Sequence, residues 1–184
     1  MKVKGNTIKS RIAFVKARFG EAAWEKVLSS LPAHDQSELR NVVLNVAWFP
    51  FELGKRLDRA IVEVVGGGDA RIFEEMGRAS ARENLGGVHK NFLDPRDPAR
   101  FMAKAPLIYR FYYDTGYRTW EPTGPTSGVL TTYEAETFSV PDCATVIGWH
   151  KEGLAMAGAT DVQIVEESCR VRGDAVCRYR ISWS

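Results

Sequence analysis

This sequence has little of three things: charge imbalance, long apolar runs and cysteine. The 25 lysines and arginines nearly balance the 23 aspartates and glutamates, giving a formal net charge of +2. Such a balance does not suggest the basic stripe typical of a nucleic-acid groove. No apolar run approaches the roughly 18–20 residues that span a bilayer, and Met1 to Asn6 contain no apolar signal segment. We therefore expect a cytoplasmic protein with no membrane span and no direct contact with nucleic acid.

Catalytic motifs are also scarce. The glycine run 66–68 lacks the Lys-Ser/Thr of a phosphate-binding loop and follows a helical pattern, so we interpret it as a helix stop. The chain has three histidines, His34, His89 and His150, and none belongs to a recognisable nucleophile–base pair or histidine-rich metal site. We therefore predict no catalytic residues and a protein that is not an enzyme.

The apolar pattern divides the chain into two parts. The length of 184 residues and the hydrophobic content of 45% suit one domain over residues 1–184. Residues 1–116 carry apolar side chains at helical spacing, including an expected helix over Ala99–Tyr113. Residues 117–184 alternate as strands, among them Gly128–Thr137, and contain one helix. This pattern predicts an α+β fold: a helical N-terminal half, then an antiparallel sheet in strand-strand-helix-strand-strand order.

The three cysteines offer the clearest chemistry. Cys169 and Cys177 flank a Gly-Asp turn, Glu166 lies three residues before the first of them, and Cys143 begins the predicted helix. An odd number of thiols in a reducing compartment favours ligands or buried thiols over disulfides. Glu166 shares an inward strand face with apolar residues, and a core-facing carboxylate is costly unless a cation meets it. One zinc ion bound by Cys143, Glu166, Cys169 and Cys177 explains all four positions.

Two alternatives to this zinc site remain open. Free cysteine is among the most often buried residue types, so the thiols can simply fill the core. Glu166 can instead pair with one of the arginines nearby in the sequence, which are Arg170, Arg172, Arg178 and Arg180. His150 is a rival metal ligand, because it falls on the same helix face as Cys143.

The cysteine pattern resembles a known module. The stretch from Tyr133-Glu134-Ala135-Glu136 through Cys143 to Glu166-x-x-Cys169-x-x-x-Gly173-x-x-x-Cys177 resembles the vinyl-4-reductase domain. That domain is the small-molecule-binding part of phenol-responsive bacterial transcription activators. The resemblance implies a zinc site made of the four residues named above. It also implies a homodimer and a fold similar to that of haem-based nitric-oxide sensors and of trafficking-particle subunits.

The resemblance places a ligand pocket between the helix Ala99–Tyr113 and the sheet. The sensors hold the phenol hydroxyl with a tryptophan and a histidine; Leu130 stands at about the place of that tryptophan, and His89 is the candidate histidine. The pocket residues that we predict are Tyr109, Tyr112, Trp120, Tyr133, Trp149 and His89, although aromatic side chains also serve simply as core.

Two functions follow from these observations. We expect a non-enzymatic sensor or regulatory domain that binds a small hydrophobic or aromatic ligand and carries a structural zinc. The alternative is a protein-interaction module with a filled core, in which Trp24, Trp48 and Phe49 contact a partner protein.

Overall fold

The computed structural model of the chain describes residues 1–87, 89–136 and 138–184. The helices are α1 (Gly5–Phe19), α2 (Glu21–Ser29), α3 (Ala33–Arg40), α4 (Phe51–Val64), α5 (Ile72–Gly86), α6 (Pro98–Ala103), α7 (Ala105–Tyr112) and α8 (Val140–Met156). The strands are β1 (Lys2–Lys4), β2 (Trp48–Pro50), β3 (Tyr117–Gly124), β4 (Ser127–Tyr133), β5 (Gln163–Ser168) and β6 (Cys177–Ser182). Short 3-10 turns lie at Lys90–Phe92 and Arg170–Arg172.

The second half of the chain forms an antiparallel sheet with the strand order β3-β4-β6-β5. Helix α8 connects β4 to β5, so the order along the chain is strand-strand-helix-strand-strand. Along β6, Cys177, Tyr179 and Ile181 are buried and the residues between them are exposed, as the two-residue period of a strand requires. The predicted α+β fold is confirmed.

Local structure differs from the sequence expectation in the helical half. The helix expected over Ala99–Tyr113 is split at Lys104 into α6 and α7. Pro106 causes the break, because it has no N–H for the carbonyl of Met102 and its ring crowds that carbonyl. The polar segment after Pro32, which carries no apolar periodicity, forms the short helix α3.

The strands also differ in two places. β1 and β2 form a separate two-stranded antiparallel sheet that we did not predict, because three-residue strands are too short to show a period. The strand expected over Gly128–Thr137 ends at Tyr133, and Thr137 lies outside the described residues.

Two apolar cores meet along α5. One core joins α1, α2, α4 and the start of α5 through residues such as Ile8, Leu57 and Phe73. The other joins α6, α7, α8 and the sheet through residues such as Leu130 and Ile181. Within the described residues, no helix combines the length and the apolar character that crossing a bilayer requires.

Helices α5 and α8 approach each other at backbone distance. A Cβ atom added to Gly148 would lie 1.9 Å from the carbonyl oxygen of Glu74, and one added to Gly77 would lie 2.4 Å from that of Thr145. Any larger residue at either glycine would force the helices apart, because real Cβ atoms do not approach so closely. The two glycines therefore fix the position of α8 against α5.

Candidate functional site

A partly open cavity lies where the two cores meet. Its volume is about 60 Å³, which is room for a few water molecules or a small ligand. Its wall combines α1, α5, α7, the start of β3, and α8. The lining residues are Thr7, Ser10, Arg11, Met76, Ser80, Ile108, Tyr109, Tyr112, Tyr113, Arg118, Thr145, Val146, Trp149 and His150.

Two of these residues separate the cavity from an outer groove. Ser10 and Ser80 line both the cavity and the open groove between α1 and α5. Their hydroxyl oxygens are 3.1 Å apart, and the Asn84 amide donates to Ser80 at 3.0 Å. The partition between cavity and groove therefore consists of small hydroxylated side chains rather than packed apolar ones.

Three buried polar atoms on the cavity wall have no hydrogen-bond partner among the described residues. They are Nε2 of His150, the hydroxyl of Tyr112 and Oγ1 of Thr7. The Asn6 amide lies near the Tyr112 hydroxyl without reaching hydrogen-bond geometry. A buried polar atom without a partner costs about 1–3 kcal/mol, so such atoms normally meet water or a ligand.

His150 presents a hydrogen-bond acceptor to the cavity. Its Nδ1 lies 2.8 Å from the carbonyl oxygen of Val146, and only a protonated ring nitrogen can donate to a carbonyl. Burial, with a contribution from the charge of Arg118, lowers the pKa of His150 to about 3, so the ring is neutral at physiological pH. The lone pair is therefore on Nε2, which no described residue contacts with a hydrogen bond.

Two arginines on the cavity wall have different surroundings. Arg11 donates to both carboxylate oxygens of Asp58, and both side chains are almost fully buried. Nε of Arg118 donates to Oγ1 of Thr132 at 2.9 Å, and its guanidinium lies 4.9 Å from the centre of the Tyr109 ring. Arg118 has no carboxylate at ion-pair distance within the described residues, and its terminal nitrogens have no hydrogen-bond acceptor there. The cavity wall therefore includes a guanidinium whose terminal donors no described residue uses.

The first turn of α8 connects the cavity to the cysteines. The hydroxyl of Tyr113, a cavity residue, donates to Oδ1 of Asp142 at 2.8 Å. Burial raises the pKa of Asp142 to about 6, and the charges of Arg11 and Arg118 oppose this rise. Cys143 follows directly, so α8 carries cavity residues and a cysteine of the cluster described next.

The three cysteines converge between α8 and the β5–β6 hairpin. The sulfur atoms of Cys143, Cys169 and Cys177 all lie within 4.8 Å of one another, and all three residues are buried. The sulfurs of Cys143 and Cys169 are 3.5 Å apart. The structure thus brings together three of the four metal ligands that the sequence predicts, with the spacing that a single thiophilic ion requires.

The turn after β5 supplies hydrogen-bond donors to these sulfurs. The backbone N–H of Arg170 donates to Sγ of Cys177 at 3.4 Å, and Asp174 holds the turn by accepting from the N–H of Cys169 at 2.7 Å. The neighbouring thiol of Cys143 lowers the pKa of Cys177 to about 6, and the pKa of Cys143 itself is raised. A cluster that already favours one thiolate is suited to a metal cation.

Glu166 lies next to the cluster rather than inside it. Its Oε2 accepts from Nη1 of Arg172 at 2.6 Å, while its Oε1 is buried and has no partner among the described residues. Its carboxyl is outside the set of mutually close ligand atoms. Arg172 is one of the arginines that the sequence offered as an alternative partner. His150, the rival metal ligand, is directed to Val146 and the cavity.

The six predicted pocket residues separate into two groups. Tyr109, Tyr112 and Trp149 line the cavity. Trp120 stacks on Trp183 with ring centres 6.2 Å apart, and Tyr133 stacks on Tyr117 at 5.0 Å. Neither side chain lines the cavity: Tyr133 pairs with Tyr117 on the sheet face opposite to Arg118, and Trp120 lies two residues beyond Arg118 along β3.

His89, the sixth residue, does not line the cavity either. It packs edge-on against Phe111 and Tyr112 at 5.6 and 5.7 Å, and the Asn6 amide contacts its Nε2 at 3.2 Å. His89 therefore belongs to an aromatic cluster with Phe111 and Tyr112 rather than to the cavity wall.

Sequence reasoning missed the contribution of α1 and α5 to the cavity. One signal was present: Arg11 falls on the apolar face of α1, between Ile8 and Val15 at steps of three and four. Asp58 likewise interrupts the apolar face of α4 between Leu57 and Ile61. Opposite charges on two inward helix faces indicate a buried ion pair, and buried charged groups often occur beside functional sites.

A family model described as "Protein of unknown function (DUF2378)" matches residues 61–184, which is more than half of the chain. That range contains the cysteine cluster and most of the cavity wall. No curated protein matches the sequence significantly.

The fold is similar to those of solved H-NOX proteins. An iron(II), unliganded mutant from K. algicida gives a TM-score of 0.77 at 12% identity, covering 98% of this chain and 96% of that chain. The iron(II)–NO state of a protein from S. oneidensis gives 0.74 at 12% identity, covering 98% and 99%. A structure from work on heme distortion in the H-NOX family gives 0.76 at 13% identity, covering 98% and 95%. At these identities the likeness establishes the fold alone.

Proposed function

We propose that this chain, which belongs to the family described as Protein of unknown function (DUF2378), is a non-enzymatic small-molecule-binding domain of a sensory or regulatory kind. The cavity carries this proposal: its wall between the two cores is mainly apolar and includes three buried polar atoms that lack partners among the described residues. Small-molecule sites typically combine an apolar wall with a few such polar groups. A ligand there contacts helices of both cores, so its binding favours one arrangement of them.

Heme is not the ligand that we propose. Heme is named for the H-NOX family to which the fold is similar. Pockets for ligands of even drug size occupy about 300–1,000 Å³, whereas this cavity is about 60 Å³. Nε2 of His150 is a free nitrogen of the type that binds heme iron, but the space beside it does not hold a porphyrin.

We also propose that the cysteine cluster binds one structural zinc ion, as the resemblance to the vinyl-4-reductase domain implies. Three mutually close sulfurs and a backbone N–H donor to Cys177 support this proposal. Glu166, whose Oε1 meets no partner in the part of the chain that the structure describes, is the proposed fourth ligand. With four protein ligands the ion has no open position, so its role would be to fasten α8 to the β5–β6 hairpin.

The same resemblance underlies our proposal of a homodimer that passes the signal to a partner protein. Native mass spectrometry at several protein concentrations tests the subunit number. A monomer at every concentration contradicts the dimer and leaves the cavity proposal unaffected.

A protein-interaction module is the second candidate, and the segment between α3 and β2 favours it. Val42, Leu44 and Val46 there are 84%, 58% and 77% exposed. The sequence predicted a contact surface made of Trp24, Trp48 and Phe49. Of these three described residues only Trp48 is exposed, because Trp24 and Phe49 are buried in the first core. Pull-down with Val42 and Val46 changed to serine tests this role.

Native mass spectrometry of protein isolated from its own cells tests the ligand proposal. Ile108→Phe fills the cavity, because Ile108 lines it, while Leu107→Phe adds the same ring on the exposed side of α7. We expect a small-molecule adduct that Leu107→Phe retains and Ile108→Phe loses. An adduct retained equally by both variants contradicts binding in the cavity.

A further inference from the structure

We infer that the cavity selects a small neutral ligand that both donates and accepts a hydrogen bond, such as a primary amide or an alcohol. In this arrangement His150 accepts from the ligand and Arg118 donates to it. The inference rests on the proposed function and goes further by naming the chemical class of the ligand.

The first argument comes from His150. Its Nδ1–H is used by Val146, so the ring can offer only the lone pair of Nε2 to the cavity. The side chain is 3% exposed, and its ring does not become charged near neutral pH because burial lowers its pKa. A buried lone pair needs an N–H or O–H donor. A carboxylate or another anion has only hydrogen-bond acceptors, so it repels the lone pair of Nε2.

The second argument comes from Arg118. Its residue is 8% exposed, it lines the same cavity, and one of its five N–H groups is used by Thr132. The described residues offer no acceptor to its terminal N–H groups, so these groups can donate to an acceptor on a ligand in the cavity. A cationic ligand would satisfy His150 but would meet the guanidinium at low dielectric.

Local charge balance favours a neutral ligand over an anion. The second cation on the wall, Arg11, is already neutralised by Asp58. The carboxyl of Asp142 lies near both Arg11 and Arg118, beyond ion-pair distance from Arg118. An anion beside Arg118 would therefore approach an existing buried carboxyl as well as the lone pair of His150. An amide or a hydroxyl group satisfies both side chains and adds no charge.

The size of the cavity limits the ligand further. A dry engineered cavity of about 150 Å³ holds benzene, and this cavity is about 60 Å³. At roughly 10–15 Å³ for each water-sized group, about four to six such groups fit. We therefore expect an aliphatic ligand of a few non-hydrogen atoms, with the Tyr112 hydroxyl and Oγ1 of Thr7 as further polar contacts.

Three probes of nearly equal size and shape separate the possibilities: propionamide donates and accepts, 2-butanone only accepts, and propionate accepts and is charged. Titrations of the full chain are followed by the ¹⁵N resonances of the His150 ring, which report a hydrogen bond at Nε2 directly. We expect propionamide to bind at least tenfold more tightly than the other two, which is the loss expected when one buried hydrogen bond is missing. His150→Phe should remove the preference over 2-butanone, and Arg118→Met should weaken the binding of propionamide and 2-butanone about equally, while Ile108→Val, which only trims the apolar wall, should keep the preference.

The outcomes distinguish this inference from the proposed function. If propionate binds as tightly as propionamide, or if the three probes bind alike, the ligand class is wrong and the cavity remains a binding site. If no probe shifts any cavity resonance at saturating concentration, and xenon also fails to enter, both proposals are wrong. Should either polar variant fail to fold, the probe preference and the Nε2 shift in the wild-type protein still decide the question.

Discussion

The buried ion pair between Arg11 and Asp58 allows a quantitative test of how the cavity wall is stabilised. Their side chains are only 3% and 2% exposed, and the guanidinium donates to both carboxylate oxygens. Asp58→Asn leaves a buried cation without its counter-ion, and Arg11→Met leaves a buried carboxylate. Removing one partner of a buried pair typically costs about 3–5 kcal/mol. We expect each single variant to lose that amount of unfolding free energy.

The double variant Arg11→Met/Asp58→Leu should be much less damaging. It replaces both charges by apolar groups of similar volume, a change that is often neutral or stabilising. We expect its unfolding free energy to lie within about 1–2 kcal/mol of the wild type, so that the two single effects are strongly non-additive. This result would show that the cost of each single change comes from the charge left behind.

Urea unfolding of the wild type, both single variants and the double variant measures this cycle. The exposed pair Arg40–Glu25, in which both side chains are 53% exposed, is the matched control. Its cycle should give at most about 1 kcal/mol of coupling. The reasoning is refuted if Asp58→Asn costs no more than a change in the control pair, or if the double variant loses the sum of the single effects.

Three further predictions concern pH, helix packing and metal. The pKa of His150 is about 3 in the folded protein and about 6.5 when unfolded, so its neutral ring contributes stability above pH 6.5 that is lost as the pH falls. Between pH 7 and 4.5 the wild type should lose roughly 2–3 kcal/mol more unfolding free energy than His150→Phe, and parallel pH profiles would contradict this. Gly148→Ala should cost about 3 kcal/mol in urea unfolding, because its Cβ meets the backbone at Glu74, whereas Gly86→Ala, with open space around it, should cost nothing. Elemental analysis should find close to one zinc per chain, lost in Cys169→Ser together with a large fall in Tm; metal-free protein isolated without chelators would disprove the zinc site.

Much of the fold was predictable because periodicity in a sequence reports burial. Cys177, Tyr179 and Ile181 alternate with polar residues in the sequence, which is the pattern of a strand with one inward face, and the structure buries these three residues. The break between α6 and α7 was also present in the sequence, as Pro106, but a proline near a helix start and a proline that ends a helix look alike until the neighbouring turn is known. The short strands β1 and β2 were not predictable, because their pairing joins segments far apart in the chain.

The candidate sites were predictable to different degrees. The sequence identified the cysteines because few residue types bind metal, and the structure brings the three sulfurs together. It did not show that Glu166 faces Arg172, because which neighbour a long side chain meets depends on the shape of the turn. The cavity was predicted only in part: Tyr109, Tyr112 and Trp149 line it, while Trp120, Tyr133 and His89 pack elsewhere.

The sequence by itself determined the strand-strand-helix-strand-strand order of the second half and the set of residues able to bind a metal, because these depend on residue type and local spacing. Only the tertiary structure decided that Arg11, Arg118 and His150 face one cavity, because α1, β3 and α8 are distant in the chain and meet only after both cores have packed. It also decided which nitrogen of His150 is free, since the carbonyl of Val146 occupies the other. Unpaired polar atoms are a property of packing, and a linear sequence does not record them.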